Sequence, residues 1–448
     1  MAASKAIPGP KGSFFTGSLK EARERPLEMM LELTREHGDV TQVRMGPMRL
    51  IVINHPDHVK RVLQEKSAIY GRPAFVSMLR RIVGNGLLFS EGELWLKQRR
   101  TMQPMFHRER IAGFARVMGE AVARRVSAWR ALAPGAKLDI SREMSELTFD
   151  IVGRTLFSTD LSGDAAALGE AIQVALAWLD ARTVDPMAMP LFVPTAENRR
   201  MRAAQRLFAA TITRLVAERR ASHEDPGDLL SMLLAARDPE TGAGMDDQQI
   251  HDEMFTFLVA GYETTSAALE WTLILLARHP EIAERVRLEH REVCGARPPT
   301  PEDLPHMPVA RGVIEESLRL YPPVFGMQRR VLADDEIGGY AIPRGAQVLV
   351  SPFAMHRHPG FWPDPDVFDP DRFSPERSEG RPRFAHFPFG GGPRQCIGSG
   401  FARMELQVIL PAVIGALRFE LAEDADTTPD PRMTFRPRGP VTMHVHPA

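Results

Sequence analysis

Near its carboxyl end the chain carries Phe389-Gly390-Gly391-Gly392-Pro393-Arg394-Gln395-Cys396-Ile397-Gly398, a cysteine in a glycine-dense loop just ahead of an apolar stretch with helical spacing. Glycine lets a backbone fold tightly beneath a flat group and aim N–H groups at a sulfur. The amino end of the following helix favours negative charge at the same place. Both effects favour thiolate over thiol. The other cysteine, Cys294, is distant in sequence, and no Cys or His stands beside Cys396 at the spacing of a zinc site. A lone thiolate is enough for the proximal position of haem iron, whose equatorial ligands come from the porphyrin. Thiolate ligation pushes electron density onto the iron and favours O–O cleavage, the electronic requirement of a monooxygenase. Arg394 can pair with a haem propionate through a charge-assisted hydrogen bond.

Length and charge narrow the alternatives. A chain of 448 residues allows two lobes around a shared interior as readily as two separable domains. With 44% hydrophobic and 25% charged residues it belongs to the globular class. A formal net charge of -1 offers no global field for nucleic acid, which is therefore not an expected partner. Two cysteines suit a reducing compartment. No apolar stretch of signal-peptide length precedes Lys20. The most apolar segment, Met254 to Ala277, contains Glu263 and Glu270 and so reads as a buried helix rather than a bilayer span. The expectation is a cytoplasmic monomer without a membrane anchor.

Along the chain, Pro26 to His37 has helical spacing, and Val40 to Asn54 has the β-branched content and Gly46-Pro47 turn of a hairpin. From Pro56 to Ala296 the helical signal dominates, with breaks at Gly84-Asn85-Gly86, Ala133-Pro134-Gly135, Pro186 to Pro194 and Asp225-Pro226-Gly227. Short strands are expected between Tyr321 and Phe373, then an irregular stretch, a final helix from Ser399 to Leu417, and a β-like tail from Val441 to His446. The fold class read from this pattern is mainly α with a small β-rich lobe, α+β.

The cysteine loop matches F-x-x-G-x-R-x-C-x-G at every fixed position, and the chain thereby resembles the cytochrome P-450 superfamily. Other segments resemble that family in its order. Glu316-Ser317-Leu318-Arg319 alone would read as a surface ion pair. Followed by Tyr321-Pro322-Pro323 and Asp369-Pro370-Asp371-Arg372-Phe373, it is similar to the family's Glu-x-x-Arg helix and Arg-Phe segment. The resemblance implies a buried network of Glu316, Arg319 and Arg372 behind the haem. Trp95 and Arg99 stand one helical turn apart and would both donate to a propionate, as would Arg330, with the neighbouring Arg329 as the alternative. His358 stands where an Asp is common.

Leu258-Val259-Ala260-Gly261-Tyr262-Glu263-Thr264-Thr265-Ser266 places a glycine and polar atoms inside the long apolar helix, at a cost to stability that calls for a reason. It is similar to the family's distal Gly-x-Glu/Asp-Thr-Thr motif. The resemblance implies that Gly261 leaves room for dioxygen, that Thr264 holds oxygen and a water, and that Glu263 connects that water to solvent as a proton relay. Ala260, Phe389 and Gly398 would line the cofactor, haem b (iron protoporphyrin IX).

On this reading residues 1–448 form a single haem-thiolate catalytic domain. Its β-rich lobe spans approximately 38–70 and 321–373, and haem lies between the long helix and the helix after the cysteine loop. The implied reaction inserts one oxygen atom into an apolar fatty acid, terpenoid, steroid or polyketide. No flavin or nicotinamide segment is visible, so a ferredoxin or flavodoxin with its reductase would supply electrons. Lys97, Arg100, Arg394 and Arg403 are candidate docking charges. Candidate pocket walls are 75–88, 178–192, 323–327 and 435–440, and Arg44 or Arg49 would hold a substrate carboxylate. A peroxygenase or isomerase of the same fold would more often lack the Glu263-Thr264 pair. A haem sensor or electron carrier would need no relay, and a haem-free thiol enzyme would need a base beside Cys396, for which His386 is the only neighbour in sequence.

Overall fold

The computed structural model describes residues 5–158, 165–184, 189–222 and 225–448. The chain divides into two compact units, Met1–Val76 with Arg311–Ile397, and Ser77–Ala310 with Gly398–Ala448.

The first unit is built on a five-stranded sheet in the order Val40–Met45, Met48–Ile53, Gln347–Val350, Met327–Val331, Tyr70–Gly71. The hairpin expected over Val40 to Asn54 forms its edge, in register from Val40 opposite Ile53 to Met45 opposite Met48. Leu50, Ile51, Val52 and Ile53 are all buried because the sheet is covered on both faces. Ile51 and Ile53 join one apolar cluster with Val348 and Val350, while Val52 joins another with Leu33 and Val43. The helix read at Pro26 to His37 has those bounds.

The strands expected as far as Phe373 stop at Val350, and the chain then makes short helical turns at Pro352–Met355 and Pro370–Phe373. Two buried arginines claim the carbonyls that a ladder would need. Arg319 donates to His356 O at 2.8 Å, Pro365 O at 2.6 Å and Val367 O at 3.2 Å. Arg372 donates to Pro363 O at 2.8 Å, Asp364 O at 3.3 Å and Val367 O at 3.1 Å. Glu316 neutralises both, accepting from Arg319 Nε at 2.6 Å and Nη2 at 2.8 Å, and from Arg372 Nε at 2.9 Å. The Asp369 N–H completes its shell at 2.9 Å. His358, in the place where Asp was noted as common, bonds Asp39 at 3.0 Å.

The second unit is mostly helical. Its long helix, Asp247–Arg278, starts where Asp246 accepts from Gln249 N at 2.7 Å and ends just before Pro280, whose ring cannot continue it. It packs on the Ile140–Phe157 helix, and the final helix, Ser399–Ala416, packs on Arg108–Arg130. A three-stranded sheet joins Ala136–Asp139, Thr442–Pro447 and Leu417–Leu421. The break read at Gly84 to Gly86 is a turn gripped by the long helix. Asp252 accepts from Asn85 N at 2.6 Å and Glu253 from Leu87 N at 2.9 Å. Gly84 has φ 90°, and a Cβ there would lie 2.4 Å from Asp252 Oδ1. Of the segment read as a break from Pro186 to Pro194, residues 186–188 lie outside the described residues.

Glu316 and Arg319 are 0% exposed and Arg372 3%, so Glu316→Ala leaves two buried guanidiniums without a counter-charge. The expected cost is about 3–5 kcal/mol in urea unfolding. A loss below about 1 kcal/mol, the value of a surface pair, would contradict the network's structural role.

Candidate functional site

The cysteine loop belongs to the first unit, and its shape follows from space. Gly392 has φ 67°, and a Cβ there would meet Leu63 O at 1.8 Å; one at Gly391 would meet Phe384 Cε1 at 2.3 Å. Backbone bonds close the loop, Gln395 N to Gly392 O at 3.1 Å and Cys396 N to Phe389 O at 3.0 Å. Cys396 is an exposed thiol, and Phe389 and Arg394 flank it half-buried. One hydrogen bond ties this loop to the arginine network. Buried His356 accepts from Phe387 N at Nε2, 2.9 Å, and its Nδ1 lies 3.3 Å from Arg319 O. Burial, helped by the charges of His386 and Arg319, keeps this imidazole well below its ordinary pKa, hence neutral.

Arg330 and Arg329 alternate on the Met327–Val331 strand and so leave opposite faces of the sheet. Arg330 is exposed, whereas Arg329 is half-buried and donates to Gln328 O at 2.9 Å.

In the second unit the long helix has two different faces. Ala260 is exposed and Gly261 and Thr264 are partly so, although every residue from Thr265 to Leu276 is buried. Thr264 donates to Ala260 O at 2.8 Å and Thr265 to Gly261 O at 3.0 Å. Gly261 has a packing reason, because a Cβ there would meet Val152 Cγ2 of the neighbouring helix at 3.2 Å. Trp95 and Arg99 sit half-buried one turn apart on the Gly92–Met102 helix, and Gly398 is the N-cap residue of the final helix.

Glu263 is turned away from the Thr264 side, toward a residue the sequence did not single out. Arg436, on the Phe435–Pro437 strand, donates to Glu263 Oε1 at 2.7 Å, Glu270 Oε2 at 3.1 Å and Glu263 O at 3.1 Å, and also to Ser266 Oγ. Burial opposes the guanidinium charge, and the carboxylates of Glu263 and Glu270 more than offset it, so its pKa rises. Burial pushes the Glu270 carboxyl up, against the pull of Arg436 and Ser141. The second oxygen of Glu263 is buried with no partner among the described residues. The sequence marked Glu263 and Glu270 inside the apolar helix, but it placed Arg436 only within the 435–440 candidate pocket wall and gave no sign that the three meet.

Glu405 of the final helix was also missed. It is 0% exposed, and neither oxygen has a partner among the described residues. Burial pushes it up to about 8, opposed by the nearby Thr265 hydroxyl, whose proton goes instead to Gly261 O. Its signal resembled that of Glu263 and Glu270, a carboxyl inside an apolar helical run. Of the proposed docking charges, Arg100 is already committed, paired with Asp238 at 2.8 Å and with Glu240.

The profile of the cytochrome P450 family matches residues 7–444. The chain belongs to the cytochrome P450 family. It is 39% identical over 407 residues to a cyclooctat-9-en-7-ol 5-monooxygenase of Streptomyces melanosporofaciens, covering 90% of this chain and 87% of the relative. Identity to a pentalenene oxygenase of Streptomyces avermitilis is 33% over 414 residues, 92% of this chain and 91% of that one. The crystal structure of the cytochrome P450DA heme domain superposes with a TM-score of 0.90 at 27% identity, over 99% of this chain and 98% of that one. The protein is thus an oxidoreductase, a P450 monooxygenase with the mainly α fold and small β lobe of that family, and it uses haem, dioxygen, an organic substrate and electron-transfer partners. Its residues fit haem. Cys396 is an exposed thiol on a glycine-floored loop, and the long helix bares one short face in an otherwise buried run. Among the described residues no helix is long and apolar enough to cross a membrane.

Glu405 supplies a pH test of this packing. Its ordinary value is 4.5 and its folded value about 8, so between these the folded P450 keeps a proton that the unfolded chain has lost. Its contribution to stability therefore falls as pH rises through this window. Glu405→Gln is expected to match the parent in urea unfolding near the acid end and to become progressively the more stable toward pH 8. A difference that does not change with pH would contradict the buried, protonated carboxyl.

Proposed function

We propose that this P450 hydroxylates or epoxidises a terpenoid, with haem b held through Cys396. Haem, when bound, supplies the iron at which dioxygen is activated. Trp95, Arg99, Arg394 and Arg330 bind its propionates, the exposed Arg330 being better placed than Arg329, whose guanidinium is engaged on the opposite face. Phe389, Gly398 and Ala260 line it.

The single observation that carries this reading is the bared face of the long helix at Ala260, Gly261 and Thr264. Thr264 donates only to its own helix there, so its hydroxyl can turn to hold a bound oxygen or a water and pass a proton on. Gly261 keeps the backbone bare beside it. Glu263 supplies protons from the far side of the helix once Arg436 releases one of its oxygens, and its unpartnered Oε2 is the atom that first accepts one.

The terpenoid class is supported by two relatives over most of their length. One has a substrate whose name is that of an unsaturated alcohol, and the other acts on pentalenene. Electrons come from a ferredoxin or flavodoxin with its reductase, for which Lys97 and Arg403 are the candidate docking charges, Arg100 being paired with Asp238 and Arg394 being given to a propionate.

Thr264→Ala is expected to keep haem and substrate binding while product per electron consumed falls on the order of 10²-fold, the lower end of general acid–base effects, with peroxide released instead. Unchanged coupling removes Thr264 from proton delivery. Titration of the ferric protein with terpenes, fatty acids and steroids tests the class. A shift of spin state with terpenes alone supports it, and a shift with fatty acids or steroids alone overturns it.

A further inference from the structure

The amino-terminal part of the long helix borders a cavity of about 490 Å³ in the second unit, within the range of about 300–1,000 Å³ usual for small-molecule sites. Part of its wall is apolar, with Ala171 and Ala175 on one helix and Met201, Ala204 and Phe208 on the next, while Gln205, Thr213 and Gln248 add polar side chains. The long helix contributes His251 and Phe255.

This cavity is separate from the Thr264 face. His251 precedes Ala260 by nine residues (260 − 251), which at about 100° and ~1.5 Å per residue puts the two half a turn out of phase and ~13.5 Å apart along the axis. His251 and Ala260 therefore lie on opposite sides of the helix.

His251 stands edge-on to Phe208, centroids 5.4 Å apart at 87°. Both of its ring nitrogens are buried and lack a hydrogen-bond partner among the described residues. Nδ1 lies 3.6 Å from Asp252 Oδ1, beyond hydrogen-bond reach. The carboxylates beside it are committed elsewhere. Asp252 accepts from Asn85 N and Gln248 Nε2, and Asp247 pairs with Arg220. The His251 side chain is 27% exposed, but both of its nitrogens are shut off from water without a hydrogen bond among the described residues, a costly arrangement that calls for a ligand. A neutral imidazole offers one donor and one acceptor, which a hydroxyl can meet in either sense. Asp247 and Asp252 line the same cavity and oppose an anionic ligand.

We infer that this cavity is a second binding site, distinct from the place of oxidation, for a neutral apolar molecule bearing a hydroxyl that bonds His251. The ligand class rests on the proposed terpenoid function, since the substrate or product of such an enzyme is a hydroxylated terpenoid.

The test uses the haem-loaded protein and geranylgeraniol, with equilibrium dialysis for stoichiometry and the optical spin-state shift for the haem side. Two molecules are expected per chain. In His251→Leu, and separately in the cavity-filling Ala204→Trp, one molecule is expected to bind at least about tenfold more weakly, the worth of one hydrogen bond to a buried group, while the spin-state shift stays unchanged. Geranylgeranic acid is expected not to occupy this site. One molecule per chain that shifts the spin state and is retained in both variants, or two molecules retained in both variants, overturns the second site. A single molecule that causes no spin-state shift and is lost in both variants upholds the cavity and instead counts against the terpenoid reading of the oxidation site.

Discussion

One carboxylate holds two buried guanidiniums, and the placement of the reactive sulfur follows from it. Glu316 accepts from Arg319 and Arg372, and these arginines in turn collect the carbonyls of residues 356, 363, 364, 365 and 367. Such a cluster is no large source of stability in itself, but losing one member strands the others. Its geometric effect is what matters here. It holds His356, His356 holds Phe387 N, and from Phe387 the chain runs directly into the glycines beneath Cys396. There Leu63 O and Phe384 leave no space for a side chain, so a single loop conformation presents the thiol.

The long helix divides its work between faces. Toward Thr264 it is bare and chemically simple, a hydroxyl on a helical carbonyl. Toward the Phe435–Pro437 strand it carries an ion cluster in which Arg436 is shared by Glu263 and Glu270. Glu263 is thus held in reserve rather than left open to solvent. Under the proposed relay, a carboxylate clamped this way would move protons only when the clamp loosens, which would tie proton delivery to the strand that carries Arg436 and Phe435, whose carbonyl accepts from Trp271. At its amino end the same helix offers a third environment, the partly apolar cavity around His251.

Much of this was legible in the sequence because it is local. The Pro26–His37 helix, the Val40–Ile53 hairpin, the final helix and the cysteine loop are each specified by period, turn residues or a contiguous motif. The Glu316 network was legible by resemblance, although its carbonyl partners were not, and so the strands expected beyond Val350 did not form. Contacts between distant segments stayed hidden. Ala136–Asp139 is a strand only because Thr442–Pro447 lies beside it. Arg436 gains its meaning from residues 166 and 173 positions away. Glu405 and His251 looked like ordinary helix positions, and only buried polar atoms without a hydrogen bond among the described residues mark them.

The most direct test is the absorption spectrum of the reduced, haem-loaded protein under carbon monoxide, compared with that of Cys396→His. With a cysteine thiolate on the iron, the parent shows the strongly red-shifted main band peculiar to that bond, and the variant loses it. A parent band at the shorter wavelength of imidazole-ligated haem, or a red-shifted band that survives in the variant, would contradict the assignment of Cys396.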